Sequence, residues 1–239
     1  MSQPPKISSK AKVSTSSGGK RMRSSLESQP KTPLAPAEAV KTLRTFKAPK
    51  FDQTVNVVVN LGIDPKTADQ ALRGSISMPF GIGRSARVVC FCQSDKVAAA
   101  KAAGAIEAGG DELVAKIEQG WMEFDVAVAS PDMMRVVSKL GKVLGPKGLM
   151  PSPKAGTVTP DVAAAVKEYG AGKQEYRNDD GGNVHCVIGK MSFKDDQLIA
   201  NLNHFIAVID KARPASVKGT YLKKCAIHAA MSPSVLVIA

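Results

Sequence analysis

Aromatic residues are scarce in this chain: one Trp, three Tyr and seven Phe make up 5% of its 239 residues. That scarcity argues against a broad aromatic platform for stacking bases. The four cysteines, Cys90, Cys92, Cys186 and Cys225, are too few and too scattered for a disulfide framework, so a reducing compartment is expected. Cys90 and Cys92 share one face of a strand, where free cysteine acts as a small hydrophobe, and no second close pair completes a zinc site. His185 and Cys186 point to opposite strand faces, which makes them poor joint ligands, so no metal is expected. The three histidines, His185, His204 and His228, and the serines show no triad or nucleophile-elbow spacing. Catalysis therefore has no candidate machinery. No apolar run approaches the roughly 18 residues that a spanning helix needs, nor is there a secretory apolar core.

Charge is what the chain has in excess. Lys and Arg number 33 against 21 Asp and Glu, a net charge of +12. Residues 1–50 hold 11 basic and 2 acidic side chains, whereas the remaining 189 hold 22 and 19. A basic leading segment on a nearly neutral body suits a polyanion, because Lys and Arg release counterions from phosphates. Residues 1–31, rich in Ser, Lys and Pro with almost nothing to bury, are expected to form a disordered basic tail. Its composition overlaps with that of an organellar transit peptide but lacks a clear Arg-bearing amphipathic helix. A solvated tail and loose RNA binding fit it as well.

From residue 36 the periodicities are those of folded elements. A helix is expected over 37–45, a strand over 51–59 with Val55, Val57 and Val59 on one face, a helical turn at 69–72 and a strand at 75–78. Between 87 and 169 strands and helices alternate. Strands are expected at 87–92 and 126–129 and helices at 95–103, 111–119, 132–140 and 161–169, with Ser94, Ser130-Pro131 and Thr159-Pro160 opening three of them. Such alternation predicts a small parallel sheet flanked by helices. Beyond Gly172, residues 175–177 and 184–188 read as paired strands around the turn NDDGGN, and Ser192 with Asp195 as a capping box. Leu198, Leu202, Phe205, Ile206 and Ile209 then form a helical apolar stripe, and strands at 221–228 and 235–238 follow. The expected architecture is an α/β domain, residues 82–172, inserted into a discontinuous α+β domain of residues 32–81 and 173–239. Its two crossings, near 80–84 and 170–174, make a natural hinge.

Two glycine motifs point toward nucleotides and fail. Gly81-Ile-Gly83-Arg-Ser-Ala86 matches a dinucleotide fingerprint, but a strand rather than a helix follows it, so a hinge or tight turn is expected. Residues 141–148, GKVLGPKG, have phosphate-loop composition without the Gly-Lys-Ser/Thr register. That rigid loop, with Lys142, Lys147 and Lys154 nearby, is able to meet nucleic-acid phosphates as a secondary contact.

The stretch 130–162, SPDMMRVVSKLGKVLGPKGLMPSPKAGTVTPDV, closely resembles the bacterial-type ribosomal protein L-one family, its signature being LGKVLGPKGLMP at 140–151. Further matches are KFDQTV at 50–55, LGIDP at 61–65, DQALRG at 69–74, GWMEFD at 120–125 and KGTYL at 218–222, so the resemblance runs from about Gly19 to the end of the chain. It implies a two-domain fold, an RNA-binding α+β domain built from both chain ends with a Rossmann-like three-layer α/β domain inserted. It also implies a non-enzymatic structural constituent of the large ribosomal subunit, without cofactor. Such a protein binds the stalk helices of large-subunit rRNA, assists release of deacylated tRNA from the exit site and represses its own messenger RNA by binding it. A monomer off the ribosome, in the cytoplasm, is the matching expectation, with an organellar ribosome as the alternative should the tail be a transit peptide.

Carried over by motif, the RNA surface includes Lys50, Phe51 and Thr54 of KFDQT, Lys66, Arg73 of DQALRG, and Lys218 and Thr220 of KGTYL. Phe51 would offer an apolar plate, Lys50 a phosphate contact and Thr54 a short hydroxyl. Without the resemblance Phe51 reads equally as a core residue at a strand start, and Arg73 as the partner of Asp69. The last element departs from the family, which usually has a Ser/Thr-rich strand leading into Thr-Met-Gly-Pro. Here 224–233 reads KCAIHAAMSP, keeping Met231 and Pro233 but placing Ala230 and Ser232 at the Thr and Gly positions, with Lys224 and His228 where small hydroxyls are common. Losing a threonine hydroxyl from an RNA contact costs on the order of 1 kcal/mol, which Lys224 is placed to offset through a phosphate. Thr67 also stands where the family often has a basic residue. Residues 82–172 hold 11 basic and 10 acidic side chains, a balance suited to transient contact rather than a general phosphate grip. Two other readings are a nucleotide-dependent enzyme, which the Gly81 element fails to support, and an extraribosomal messenger repressor suggested by the altered strip.

Overall fold

Valine alternation sets the centre of the fold. In β1 (Thr54–Leu61), Val55, Val57, Val59 and Leu61 are buried while Thr54, Asn56, Val58 and Asn60 are half-buried on the opposite face. The structure, a computed structural model, describes residues 19–67 and 69–238. β1 lies inside a four-stranded antiparallel sheet of order β7-β1-β8-β9, with β7 (Asn183–Lys190), β8 (Leu222–Ala229) and β9 (Val235–Val237). One face is covered by α2 (Pro36–Thr45), which buries Ala39, Val40 and Leu43, and by α8 (Asp195–Lys211), which buries Leu198, Leu202, Phe205 and Ile209. Pro36 opens α2 at a position where its missing N–H costs nothing. At the start of α8 the Lys194 N–H donates to Gln197 Oε1 at 3.0 Å, and Asp195 and Asp196 complement the helix dipole. Ser192 does not cap this helix: its N–H and hydroxyl both bond Asp52, at 3.2 and 2.9 Å.

The second layer system is the expected parallel sheet, β4-β3-β5, made of β4 (Glu107–Gly109), β3 (Val88–Phe91) and β5 (Val126–Ala129). All four β3 residues are buried, as a strand covered on both faces requires. Val89 and Phe91 pack with Leu113, Ile117, Leu140 and Leu144; Val88 and Cys90 pack with Ala100, Val162, Val166 and Tyr169. The covering helices are α4 (Asp111–Glu118) on the first side, with α3 (Ser94–Ala102) and α7 (Val162–Gly170) on the second. Asp161 rather than Thr159 caps α7, accepting the Ala164 N–H at 3.1 Å. The single helix expected over 132–140 is instead a chain of short pieces, including α5 (Met134–Val137) and α6 (Gly141–Leu144) joined by 3-10 turns. Paired valines lower helix propensity there, and Ser138 bonds back to the Arg135 carbonyl at 2.7 Å.

The hairpin expected between 175–177 and 184–188 is absent. β6 (Lys173–Arg177) pairs instead with β2 (Arg73–Ser77), and β7 pairs with β1, leaving one bridge, Asn178–Val184, between them. Val184, Cys186 and Ile188 must face the core beneath β1, and that requirement outweighs the local turn signal. The helical turn expected at 69–72 is absent: Asp69 and Gln70 close a turn in which the Gln70 N–H donates to the Thr67 carbonyl at 3.0 Å, and residues 71–72 lead on to β2 without helix.

Residues 20–27, expected to be disordered, form α1 (Lys20–Glu27). Arg21 donates to the Lys47 and Met231 carbonyls, Gln29 donates to the Ser234 carbonyl at 2.7 Å, and Ser25 is buried, so the helix is held by docking despite its polar composition. The remainder of the expected tail, residues 1–18, lies outside the described residues. No helix among the described residues is long and apolar enough to cross a membrane.

Buried residues around the antiparallel sheet come from 39–78 and 176–237, those around the parallel sheet from 88–169. At the crossings, Gly81 and Gly172 both have positive φ, and a Cβ on Gly172 would sit 3.2 Å from Ile82. Asn201, fully buried on α8, ties the first crossing down. Its amide donates to the Gly81 and Ile188 carbonyls at 3.1 and 2.8 Å and accepts the Phe80 N–H at 3.2 Å. Gly83 leads into β3, so no helix N-terminus opens for a pyrophosphate.

Candidate nucleic-acid interface

The segment before β1 runs exposed through Lys50, Phe51 and Asp52 and turns inward only at Gln53. Lys50 and Phe51 are exposed, Phe51 by 51%, whereas Gln53 is buried. Of the two readings of Phe51, core and surface, the surface one holds. Gln53 donates its amide to the Ala230 carbonyl, and the Ala230 N–H donates to the Thr54 carbonyl at 2.9 Å. These bonds fasten the end of β8 to the start of β1 and set Met231 on the same sheet end as Phe51. Met231 is 65% exposed and has φ 63°, the one positive φ of a non-glycine among the described residues. Ser232 follows without that conformation. Its hydroxyl is turned inward, accepting the Ala229 N–H and reaching the Ala229 carbonyl, each at 3.0 Å. The glycine of the family's usual strip is therefore not demanded by φ at this position. Thr54 accepts a hydrogen bond from Lys190 Nζ at 3.0 Å, which links its hydroxyl to a cation at the β7 end.

The remaining sequence-derived residues divide between places. Lys66, Lys218, Thr220 and Lys224 are exposed at the opposite end of β1 and β8, where the Gly62 N–H donates to the Tyr221 carbonyl at 2.7 Å. Eight strand residues separate the two ends by roughly 23 Å. Arg73 pairs with Glu175 at 2.6 Å, not with Asp69, because β6 lies beside β2. Lys142, Lys147 and Lys154 are exposed on the segment between β5 and α7, outside the antiparallel sheet. This segment borders a cleft of about 320 Å³ lined by Arg84, Asp125, Met150, Tyr169, Lys173 and Glu175.

Gln53 and Lys190 are contributors that sequence reasoning missed. Gln53 stands inside KFDQT in phase with the buried Val55, Val57 and Val59 of β1, and that phase was a usable signal. Lys190 meets Thr54 only through the β1–β7 register. His228 lies beside Asn56 on the half-buried face; burial, then the neighbouring His185, hold its pKa below the ordinary value, so it is neutral at pH 7. Burial pushes the thiols of Cys90 and Cys186 up to about 12 and that of Cys225 to about 11, which keeps them protonated packing groups.

The turn before β7 should be acid-sensitive. The Asp179 carboxylate accepts bonds from the Asn183 side chain and backbone and from the Gly181 N–H, which lower its pKa from 3.8 to about 2. A carboxylate depressed in the folded state contributes stability above its unfolded value and loses that contribution as pH falls through the folded one. Between pH 4 and pH 2 the urea midpoint of the protein should therefore fall more steeply than that of an Asp179→Ala variant. Parallel profiles would contradict this. Asp125, bonded to Arg87 and also depressed, adds to the acid lability of both proteins equally.

Lys50, Phe51 and Met231 stand exposed at one end of the sheet, on a chain that is similar to known ribosomal proteins. The large ribosomal subunit protein uL1 of Maridesulfovibrio salexigens is 47% identical over 215 residues, covering 90% of this chain and 92% of that protein. The large ribosomal subunit protein uL1 of Nocardioides sp. is 48% identical over 219 residues, 91% of each. The model of the ribosomal protein L1p/L10e family matches residues 43–233, a span that takes in β1, the whole parallel sheet and the Met231 turn. The chain belongs to that family, whose members are structural rather than enzymatic.

Proposed function

We propose that this protein is a constituent of the large ribosomal subunit and binds the stalk helices of its rRNA through the Phe51–Met231 end of the antiparallel sheet. One observation carries the reading: two strongly exposed apolar side chains stand on segments stitched together by the Gln53–Ala230 and Ala230–Thr54 bonds, with Lys50 beside them. Such a pair suits unstacked bases or sugar faces, while lysines take the phosphates. The names of the relatives supply the assembly.

In this reading residues 32–81 and 173–239, extended by α1, form the rRNA-binding domain, and 82–172 form the inserted one. Lys66, Lys218, Thr220 and Lys224 give the same sheet a second, phosphate-directed patch. Lys142, Lys147 and Lys154 serve transient contact with exit-site tRNA, whose release the inserted domain assists. The same RNA surface binds the protein's own messenger and represses it. The protein works as a monomer before assembly, on cytoplasmic ribosomes of bacterial type, or on organellar ribosomes if the leading residues are a transit peptide.

Sedimentation of an extract through a sucrose gradient tests the assignment. The protein should travel with large subunits and be absent from small ones, and its recovery only at the top of the gradient would overturn the ribosomal reading.

A further inference from the structure

The proposed RNA surface is bonded to a residue that lies far from it in sequence. Arg21, half-buried on α1, donates through Nη1 to the Lys47 carbonyl at 3.0 Å and through Nη2 to the Met231 carbonyl at 2.9 Å. Lys47 begins the run that leads to Lys50 and Phe51, and Met231 is the exposed side chain of the β8 turn. One planar guanidinium therefore spans the backbones of both recognition segments, using the fork geometry that arginine alone provides.

The Met231 end needs such support. A methionine at φ 63° occupies a region that side chains disfavour, and it persists only where its surroundings over-determine it. On one side the turn is closed by the Ser232 N–H, which donates to the Ala229 carbonyl at 2.9 Å, and by the Ser232 hydroxyl. On the other side the Met231 carbonyl is held by Arg21. Gln29, two residues past the end of α1, adds a bond to the Ser234 carbonyl, an anchor apart from the Met231 carbonyl that Arg21 holds.

We infer that Arg21 is a positioning residue for RNA recognition, fixing the left-handed Met231 peptide and the approach to Phe51 in register. The inference rests on the reading that this sheet end binds stalk rRNA. It differs from a direct phosphate contact in that two of the five guanidinium N–H groups are spent on backbone carbonyls of the recognition segments.

Equilibrium binding of the full chain to a stalk fragment of large-subunit rRNA, beside a scrambled RNA across a salt series, separates the two roles. Arg21→Gln should weaken stalk binding by about tenfold, leaving the slope of affinity against salt and the binding to scrambled RNA unchanged. Arg21→Lys, which keeps the charge and a donor nitrogen but not the planar fork, and guards against misfolding, should fall in between. Gln29→Ala, which loosens α1 elsewhere, should bind as the parent does. In a Met231→Gly background, where the strained side chain is gone, Arg21→Gln should cost markedly less.

A slope reduced by about one, with equal loss on both RNAs, would make Arg21 a phosphate ligand and overturn the inference. Parent-like binding by Arg21→Gln, while the parent itself prefers stalk RNA, would overturn the inference alone. A parent that fails to prefer stalk RNA would remove the interface reading and this inference together.

Discussion

Alanine at Phe51 should weaken binding to a stalk fragment of large-subunit rRNA by roughly tenfold or more, while the folding midpoint stays where it is. Contact of a base with an aromatic face is worth about 1–3 kcal/mol, and Phe51 has half its surface free to make one. The same exposure limits what folding loses, since truncating an exposed side chain away from the core shifts stability by about 0.5 kcal/mol or less. Phe46 supplies the contrast. It is buried at the end of α2, so Phe46→Ala should cost about 3–5 kcal/mol. Paired measurement of RNA affinity and urea midpoint on both variants checks the division. A Phe51→Ala protein that binds normally but unfolds early would mean that the side chain serves the fold.

Asn201→Leu should produce the other large effect, on stability. The substitution keeps the volume but leaves the Phe80 N–H and the Gly81 and Ile188 carbonyls without their partner in the core. Each buried group left unpaired costs about 1–3 kcal/mol, so a loss of about 3 kcal/mol or more is expected. The chain's single tryptophan, Trp121, sits beside the parallel-sheet core, whereas circular dichroism reports all elements. Urea unfolding followed by dichroism gives the total cost, and Trp121 fluorescence reports the inserted part. A change below about 1 kcal/mol would show that water or rearrangement satisfies the crossing and that Asn201 does not fasten it.

Much of this fold was legible because its elements carry strong periodic signals. The valine alternation of β1, the wholly apolar β3 and the stripe of α8 each name a face as well as a type. What failed was non-local. NDDGGN has ordinary hairpin chemistry, yet β6 leaves to pair with β2, since only that arrangement lets Val184, Cys186 and Ile188 cover the core under β1. Arg73 consequently meets Glu175, a partner visible only once the pairing is known. α1 was unreadable because its polar sequence buries little; side-chain bonds to distant carbonyls hold it in place.

The candidate site divides in the same way. Contiguous strings such as KFDQT carried the resemblance, so Lys50, Phe51 and Thr54 were named by carry-over from the family motif. Alternation did not settle the side of Phe51, which lies before the strand begins. The inward turn of the Ser232 hydroxyl and the positive φ of Met231 are conformational facts with no compositional trace. Lys224 and Met231 were grouped because both lie in the strip 224–233 that stands for the family's last element, but β8 (Leu222–Ala229) puts Lys224 near one end of the sheet and Met231 just beyond the other.

The most direct test of the account is equilibrium binding of the full chain to the stalk fragment across a salt series, beside a scrambled RNA of equal length. Preference for the stalk by roughly 10³-fold or more, the low end for specific nucleic-acid complexes, is the result expected of a surface built around Phe51 and Met231. Equal and steeply salt-dependent binding to both RNAs would contradict it, because the basic leading residues alone would then account for the affinity.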